Sequence, residues 1–210
     1  VNSLPRPGPS LCASTLPPGV TLEGMKIVID CANGAGYKVA PRTLADLGAD
    51  IVPIGCSPNG RNINDGCGST SPDLLQLTVA GVRAQVGIAL DGDGDRLVMV
   101  DHLGRIADGD QLLYVIASDR KRAGTLQGPV VGTVMSNLGL ELGLRERGIE
   151  LLRAPVGDRH VAAMMEEHGA ALGGEKSGHI IFRRCATTGD GILTALQVAA
   201  LVRQSGRPLS

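Results

Sequence analysis

Short apolar runs and longer amphipathic stretches alternate along this chain from Lys26 onward. Lys26 to Cys31 is a compact β-branched run, residues 41–47 carry helical spacing and residues 49–54 turn apolar again, which together predict a β-α-β unit. Ser71-Pro72-Asp73 offers an N-cap, a proline for the first helical position and an acidic first turn, so a helix is expected from there to about Gln85. Residues 86–90 then read as a buried strand, residues 97–100 as its hairpin partner, and residues 110–123 as an amphipathic helix closing against Gly124.

The second half repeats this texture. Strands are expected at 130–134, 149–154, near Leu172 and at 179–182, and helices after Asn137 as far as Gly148, over 158–168 and over 190–204. Alternating β and α elements predict an α/β fold of two consecutive three-layer α/β/α domains with mostly parallel sheets. The domains are expected at 22–125 and 126–210, with their boundary near Gly124 to Gly128. Right-handed crossovers place the loops that follow the strands along one edge, where ligands gather in such folds. Residues 1–21, with Pro5, Pro7, Pro9, Pro17 and Pro18, show neither period and are expected to form a disordered arm.

Composition removes several classes of function. Aromatic residues make up only 1% of the chain, so the core has to be built from Val, Ile, Leu and Ala, the mixture of helices packed on parallel strands. With 20 basic against 21 acidic residues there is no long-range field to hold a nucleic acid or an anionic membrane. No apolar run approaches the ~18 residues of a membrane span. The five cysteines are odd in number and include no Cys-x-x-Cys, which points away from a disulfide framework or zinc knuckle and toward a reducing cytoplasmic setting. Function is therefore expected at local sites.

The sharpest local signal is Asp91-Gly92-Asp93-Gly94-Asp95-Arg96, three carboxylates alternating with glycines directly after a buried strand. Like charges this close repel unless a hard divalent ion neutralises them, and glycine lets the backbone curl until Asp91, Asp93 and Asp95 converge. Magnesium suits three such oxygens with positions left for a phosphate. An EF-hand would need glycine where Arg96 stands and glutamate where His102 stands, so that alternative fails. Arg96 suits a metal-phosphate centre because a guanidinium pairs with phosphate in a bidentate way; its simpler role is as a partner of the aspartates.

A second polar loop, Gly173-Gly174-Glu175-Lys176-Ser177-Gly178-His179, lies between two expected strands. Glu175 can accept from adjacent sugar hydroxyls, Ser177 can donate or accept, and Lys176 or His179 can attend to a phosphate or shuttle a proton. Its spacing matches neither a P-loop nor a nucleophile elbow, and a polar hairpin would also account for it. Gly157-Asp158-Arg159-His160 and Thr187-Thr188-Gly189-Asp190-Gly191 each precede a helix, where backbone N–H groups can receive an anion. Helix capping is the simpler reading for Asp158 and Asp190.

Together the two loops resemble the α-D-phosphohexomutase superfamily, whose metal loop is D-G-D-G-D-R and whose sugar loop is G-E-x-S-G-H, in that order in successive domains. Residues 29–35, 58–64, 132–137 and 187–191 resemble its phosphoglucosamine mutase branch in particular, and the likeness runs from about Leu22 to Leu201. The resemblance implies domains II and III of a four-domain enzyme that interconverts glucosamine 6-phosphate and glucosamine 1-phosphate for cell-wall precursor synthesis, through a phosphoserine. By it, Asp91, Asp93 and Asp95 bind Mg2+, Arg96 and His179 take catalytic parts, and Glu175, Lys176, Ser177 and Gly157 bind the hexosamine phosphate.

The family's T-x-S-H-N-P and R-x-S-G-T-E-P segments do not occur in this sequence, so the chain alone is expected to be inactive. Three alternatives stand beside this reading. One is a non-catalytic module that docks on missing mutase domains or full-length mutase subunits; another is a mutase for glucose or mannose phosphates. The third, an aspartate-nucleophile phosphatase, shares the Asp-x-Asp spacing without predicting the second loop.

Overall fold

The computed structural model describes residues 14–17 and 19–209. Its first sheet has the order β2-β1-β3-β4-β5, built from β1 (Lys26–Asp30), β2 (Asp50–Ile54), β3 (Val86–Leu90), β4 (Leu97–Asp101) and β5 (Ile106–Ala107). Strand β1 pairs in parallel with β2 and β3, and β4 and β5 continue the sheet antiparallel. The second sheet has the order β7-β6-β8-β9, from β6 (Val130–Thr133), β7 (Leu151–Ala154), β8 (Leu172–Gly174) and β9 (Ile180–Phe182). Here β6 pairs in parallel with β7 and β8, and β9 returns antiparallel. Both sheets thus have a parallel centre and an antiparallel hairpin on the same flank, and the acidic loop and the Glu175 loop are the equivalent hairpin turns of the two sheets.

Period-two alternation divides each strand between two cores. Ile27, Ile29, Ile88, Leu90 and Met99 face one core, while Val28, Ala89 and Val100 face another with Leu75 and Val79 of helix α2 (Asp73–Val82). Gly87 in the middle of β3 allows that helix to approach: a Cβ there would lie 2.6 Å from Val79 and 3.0 Å from Leu75. The opposite face is covered by α1 (Val39–Asp46), against β2, and by α6 (Gly191–Ser205), against β3 and β4. On the second sheet, α5 (Asp158–Glu167) covers one face, while α3 (Gly109–Arg122), packed beside α4 (Leu138–Glu146), covers the other.

Packing ties the two expected domains together across their boundary. Helix α3, assigned by sequence to the unit at 22–125, packs against β8, α4 and α6, and α6 from the far end of the chain lies on the first sheet. Leu112, Leu113 and Ile116 of α3 therefore share one buried core with Leu193, Leu196 and Val198 of α6 and with strands of both sheets. Amphipathic spacing shows that a helix has an apolar face but not which sheet that face meets.

Other differences are local. Helix α2 is preceded by Pro72 with no side-chain cap, not by a capping Ser71, and it stops at Val82 because Arg83 turns left-handed (φ 57°). Helix α3 is instead held at its start by a full capping box between Asp108 and Gln111. Of the expected disordered arm, residues 14–17 are packed: Leu16 is buried and Thr15 accepts from Gln197 through both its carbonyl and its hydroxyl, at 3.3 and 3.1 Å. Residues 1–13 and Pro18 lie outside the described residues. No helix among the described residues is long and apolar enough to cross a membrane.

Candidate functional site

The acidic loop forms where the fully buried β3 ends and the chain reverses into β4. Asp91 organises the turn. Its Oδ1 accepts from the backbone N–H of Gly94 and of Arg96, both at 3.1 Å, and its Oδ2 meets Arg96 Nε at 3.0 Å. Gly94 supplies the left-handed residue (φ 81°) that the turn requires. Asp91, Asp93 and Asp95 bring ligand oxygens within 4.8 Å of one another, on side chains graded from buried through exposed to half-buried.

Arg96 Nε also lies 3.4 Å from Asp95 Oδ1. Burial lowers the Arg96 pKa, but attraction from Asp91, Asp95 and Asp93 outweighs it and leaves the guanidinium above its ordinary range. One cation against three carboxylates leaves the loop anionic, and like charges about 4 Å apart repel by about 4 kcal/mol at an effective dielectric constant near 20. The donor set, hard oxygens only and open on one side, fits a magnesium-sized divalent ion.

A scaffold drawn from residues 30–35 and 57–68 holds this loop from behind. Gly92 O accepts from Ala35 N at 2.8 Å, and a Cβ on Gly34 would stand 2.2 Å from that oxygen. Three non-glycine residues in left-handed backbone, Ala32 (φ 54°), Asn33 (φ 49°) and Asn64 (φ 57°), gather around Gly92. Such conformations cost on the order of 1–3 kcal/mol each and persist only where surrounding contacts impose them. The Asn33 side chain supplies several: it accepts from Ser57 N at 3.0 Å and donates to Asn62 O at 3.4 Å and Cys67 Sγ at 3.5 Å. Buried Asp30 adds bonds from Ala32 N (2.9 Å) and Gly68 N (2.8 Å). In the sequence these residues fall within the stretches 29–35 and 58–64 that resemble the mutase branch, a likeness that does not give their contacts.

The Glu175 loop packs directly against the acidic one. Glu175 Oε1 accepts from Gly157 N at 3.0 Å, so these two expected substrate-binding residues are brought together at the start of α5. Lys176 is exposed, with Nζ 4.0 Å from Asp108, and Ser177 is exposed. Gly178 O accepts from Leu97 N at 3.3 Å, and a Cβ on Gly178 (φ 89°) would sit 1.8 Å from Leu97 O, so only glycine fits. A third loop joins them: Gly191 N donates to Gly94 O at 2.9 Å, and Asp190 caps α6 by accepting from Leu193 N at 2.9 Å. Asp158 is not a cap, since Gly157 precedes the helix and Asp158 Oδ1 accepts only from its neighbour Arg159 N.

His179 is buried, and both of its ring nitrogens are engaged inside the protein. Nδ1 lies 3.1 Å from Asp95 Oδ2, and Nε2 accepts from Gly189 N at 3.0 Å. Both ring nitrogens thus have protein partners in the absence of substrate. Gly189 lies in the pre-helix stretch 187–191, which also resembles the mutase branch. A concavity of about 750 Å3 lies at the other end of the first sheet beside Met25, Arg83, His102 and Arg203, and contains none of the candidate residues.

Comparison with known proteins agrees with this fold. Residues 18–104 match the family model for phosphoglucomutase/phosphomannomutase alpha/beta/alpha domain II, and residues 108–210 match domain III. The break between them falls before α3, as the packing of that helix requires. The phosphoglucosamine mutase of Aeromonas salmonicida is 56% identical over 95% of this chain and 45% of its own length. The chain spans less than half the length of the curated relatives it matches. Among solved structures, a phosphoglucomutase/phosphomannomutase family protein from Burkholderia thailandensis superposes with a TM-score of 0.77 at 27% identity, over 86% of this chain and 40% of that one. The Aspergillus fumigatus N-acetylphosphoglucosamine mutase, solved with GlcNAc-6P and magnesium, shares the fold at a TM-score of 0.72 and 21% identity, over 91% of this chain and 48% of that one. The chain belongs to the phosphoglucomutase/phosphomannomutase family, of which it comprises the central domains II and III.

Proposed function

We propose that this chain forms the metal- and sugar-binding centre of a phosphoglucosamine mutase, which interconverts glucosamine 6-phosphate and glucosamine 1-phosphate. The observation that carries this reading is the meeting of the acidic loop and the Glu175 loop on one edge, with Asp95 and His179 3.1 Å apart. Similarity to phosphoglucosamine mutases supports the choice of sugar. The magnesium and GlcNAc-6P of the Aspergillus fumigatus structure support the classes of ligand.

In this reading Asp91, Asp93 and Asp95 hold Mg2+, which supplies neutralisation of negative charge on a phosphoryl group. Arg96 engages the aspartates through Nε, so its terminal nitrogens serve as donors to phosphate. Glu175, whose Oε1 is fixed by Gly157, accepts from sugar hydroxyls, with exposed Ser177 and Lys176 beside it. The free thiols of Cys31, Cys56, Cys67 and Cys185 suit a reducing cytoplasm.

A chimera tests the proposal: residues 22–205 of this chain replace the matching segment of the Aeromonas salmonicida enzyme. Turnover of glucosamine phosphates, faster than that of glucose or mannose phosphates, is the expected result. A folded chimera that is inactive, or that prefers glucose 6-phosphate, would overturn it. The isolated chain is expected to show no turnover.

A further inference from the structure

We infer that a cavity of about 410 Å3 between α3, α6 and the end of β9 is a second ligand site, which takes a small phosphate ester on Arg120 and Arg184. Residues 15–17 close one side of it, and none of the candidate metal or sugar residues lines it. Helix α3 begins against the Glu175 loop, where Gly109 N donates to Lys176 O, and Arg120 lies about 16 Å further along the helix axis. The site is therefore separate from the one proposed above and does not depend on that reading.

Cations in the last turn of a helix suit its negative end, and α3 ends with three, Arg120, Lys121 and Arg122. Two of them serve from exposed positions: Lys121 Nζ donates to Gly148 O at 3.0 Å, and Arg122 pairs with Asp119, the one carboxylate among the described lining residues. Arg120 instead turns inward. It is half-buried, its Cζ stands 4.8 Å from the centre of the Phe182 ring, and among the described residues its guanidinium has no ion-pair partner or hydrogen-bond acceptor. The ring satisfies one face of the cation, while the five N–H donors lie in its plane and are left to the cavity that Arg120 lines.

Arg184, in the turn after β9, lines the same cavity and likewise has no acid partner among the described residues. Burial holds the Arg120 pKa below its ordinary range; Cys185 and Asp119 oppose this, and the like charge of Arg184 adds to it. A partly desolvated cation without a counter-ion costs stability, and a second cation beside it raises that cost. A bound anion removes both. A planar guanidinium pairs with two oxygens at once, and two cations select a doubly charged phosphate over a single carboxylate. Leu16, Ile116, Ala200 and Leu201 make the remaining wall apolar, and the volume leaves room for an organic body besides the phosphate.

Inorganic phosphate titrated into the 15N-labelled intact chain, without Mg2+, tests the site. Saturable amide shifts are expected at residues 119–125 and 182–186, with a shift of the Arg120 Nε–H resonance. Arg120→Gln should weaken this binding about tenfold or more, and Arg184→Gln in the same direction. Arg96→Gln, in the acidic loop, should leave these shifts in place. Phosphate should also raise the melting temperature of the parent. Arg120→Met, which removes the unpaired charge and keeps an apolar chain over Phe182, should melt no lower than the parent in phosphate-free buffer and lose that rise. Absence of saturable shifts, shifts confined to residues 91–96, shifts reproduced by chloride at equal ionic strength, or unchanged affinity in Arg120→Gln would overturn the inference. So would an Arg120→Met variant that melts well below the parent, since Arg120 would then serve packing alone. If Arg120→Gln fails to fold, Arg184→Gln and the pattern of shifts decide.

Discussion

Asp91 has two functions, as a proposed cation ligand and as the acceptor that closes its own turn, and the second can be measured without metal. Asp91→Ala leaves the N–H groups of Gly94 and Arg96 without their acceptor, and a lost acceptor of this kind costs about 1–3 kcal/mol. Urea unfolding in metal-free buffer checks this, and Asp91→Asn, which keeps an acceptor oxygen, should cost less. A second residue-scale prediction concerns pH. Burial pushes the Cys31 thiol well above its ordinary 9.0, with Cys56 and Asp30 adding to the shift. The unfolded chain ionises this thiol first as pH rises, so its contribution to stability is constant below about pH 9 and falls above it. Cys31→Ala should flatten the alkaline loss of stability, and an unchanged slope would refute the assignment. At this scale the sequence made the three aspartates and Arg96 legible, because alternating charge and glycine is a local pattern. Asn33 and Gly189 were legible only as members of the stretches 29–35 and 187–191, and their contacts were not, because their partners at Ser57, Asn62, Cys67 and His179 lie elsewhere in the chain.

At the scale of elements, the two functional loops are the same turn made twice, each linking the last parallel strand of its sheet to an antiparallel neighbour. This equivalence brings them face to face, and Gly178 packs against Leu97 at the start of the strand that follows the acidic loop. Gly178→Ala would put a methyl group 1.8 Å from Leu97 O in a left-handed backbone. The variant is expected to lower the melting temperature by several degrees, since about 1 kcal/mol shifts the midpoint by ~2–4 °C in a chain of this size. It should weaken Mg2+ binding as well; a variant that melts and binds like the parent would show that the loops are not locked together there. Strands and helices were largely legible from periodicity. The start of α2 was not, because Ser71-Pro72 has the composition of a cap without its hydrogen bond. The two-residue β5 carries too little pattern to be read.

Over the whole molecule, the crossed helices make two sheets into one cooperative body. Helix α6 covers β3 and β4 of the first sheet, and α3 covers β8 of the second, with a continuous core between them. Heat or urea should therefore unfold the chain in a single transition by far-UV and near-UV circular dichroism alike. Two separated transitions would show that the units are stabilised independently. Chain order alone suggested the opposite, a clean division near Gly124, because sequence gives the order of elements and not which sheet a helix covers. The arrangement also predicts where a divalent ion acts. Mn2+ occupies octahedral oxygen sites like those of Mg2+ and broadens nearby amide resonances. One equivalent of Mn2+ added to 15N-labelled chain should broaden residues 91–96 and, across the junction, residues 175–179. Broadening elsewhere, or of the acidic loop with the Glu175 loop untouched, would contradict a shared metal and sugar site.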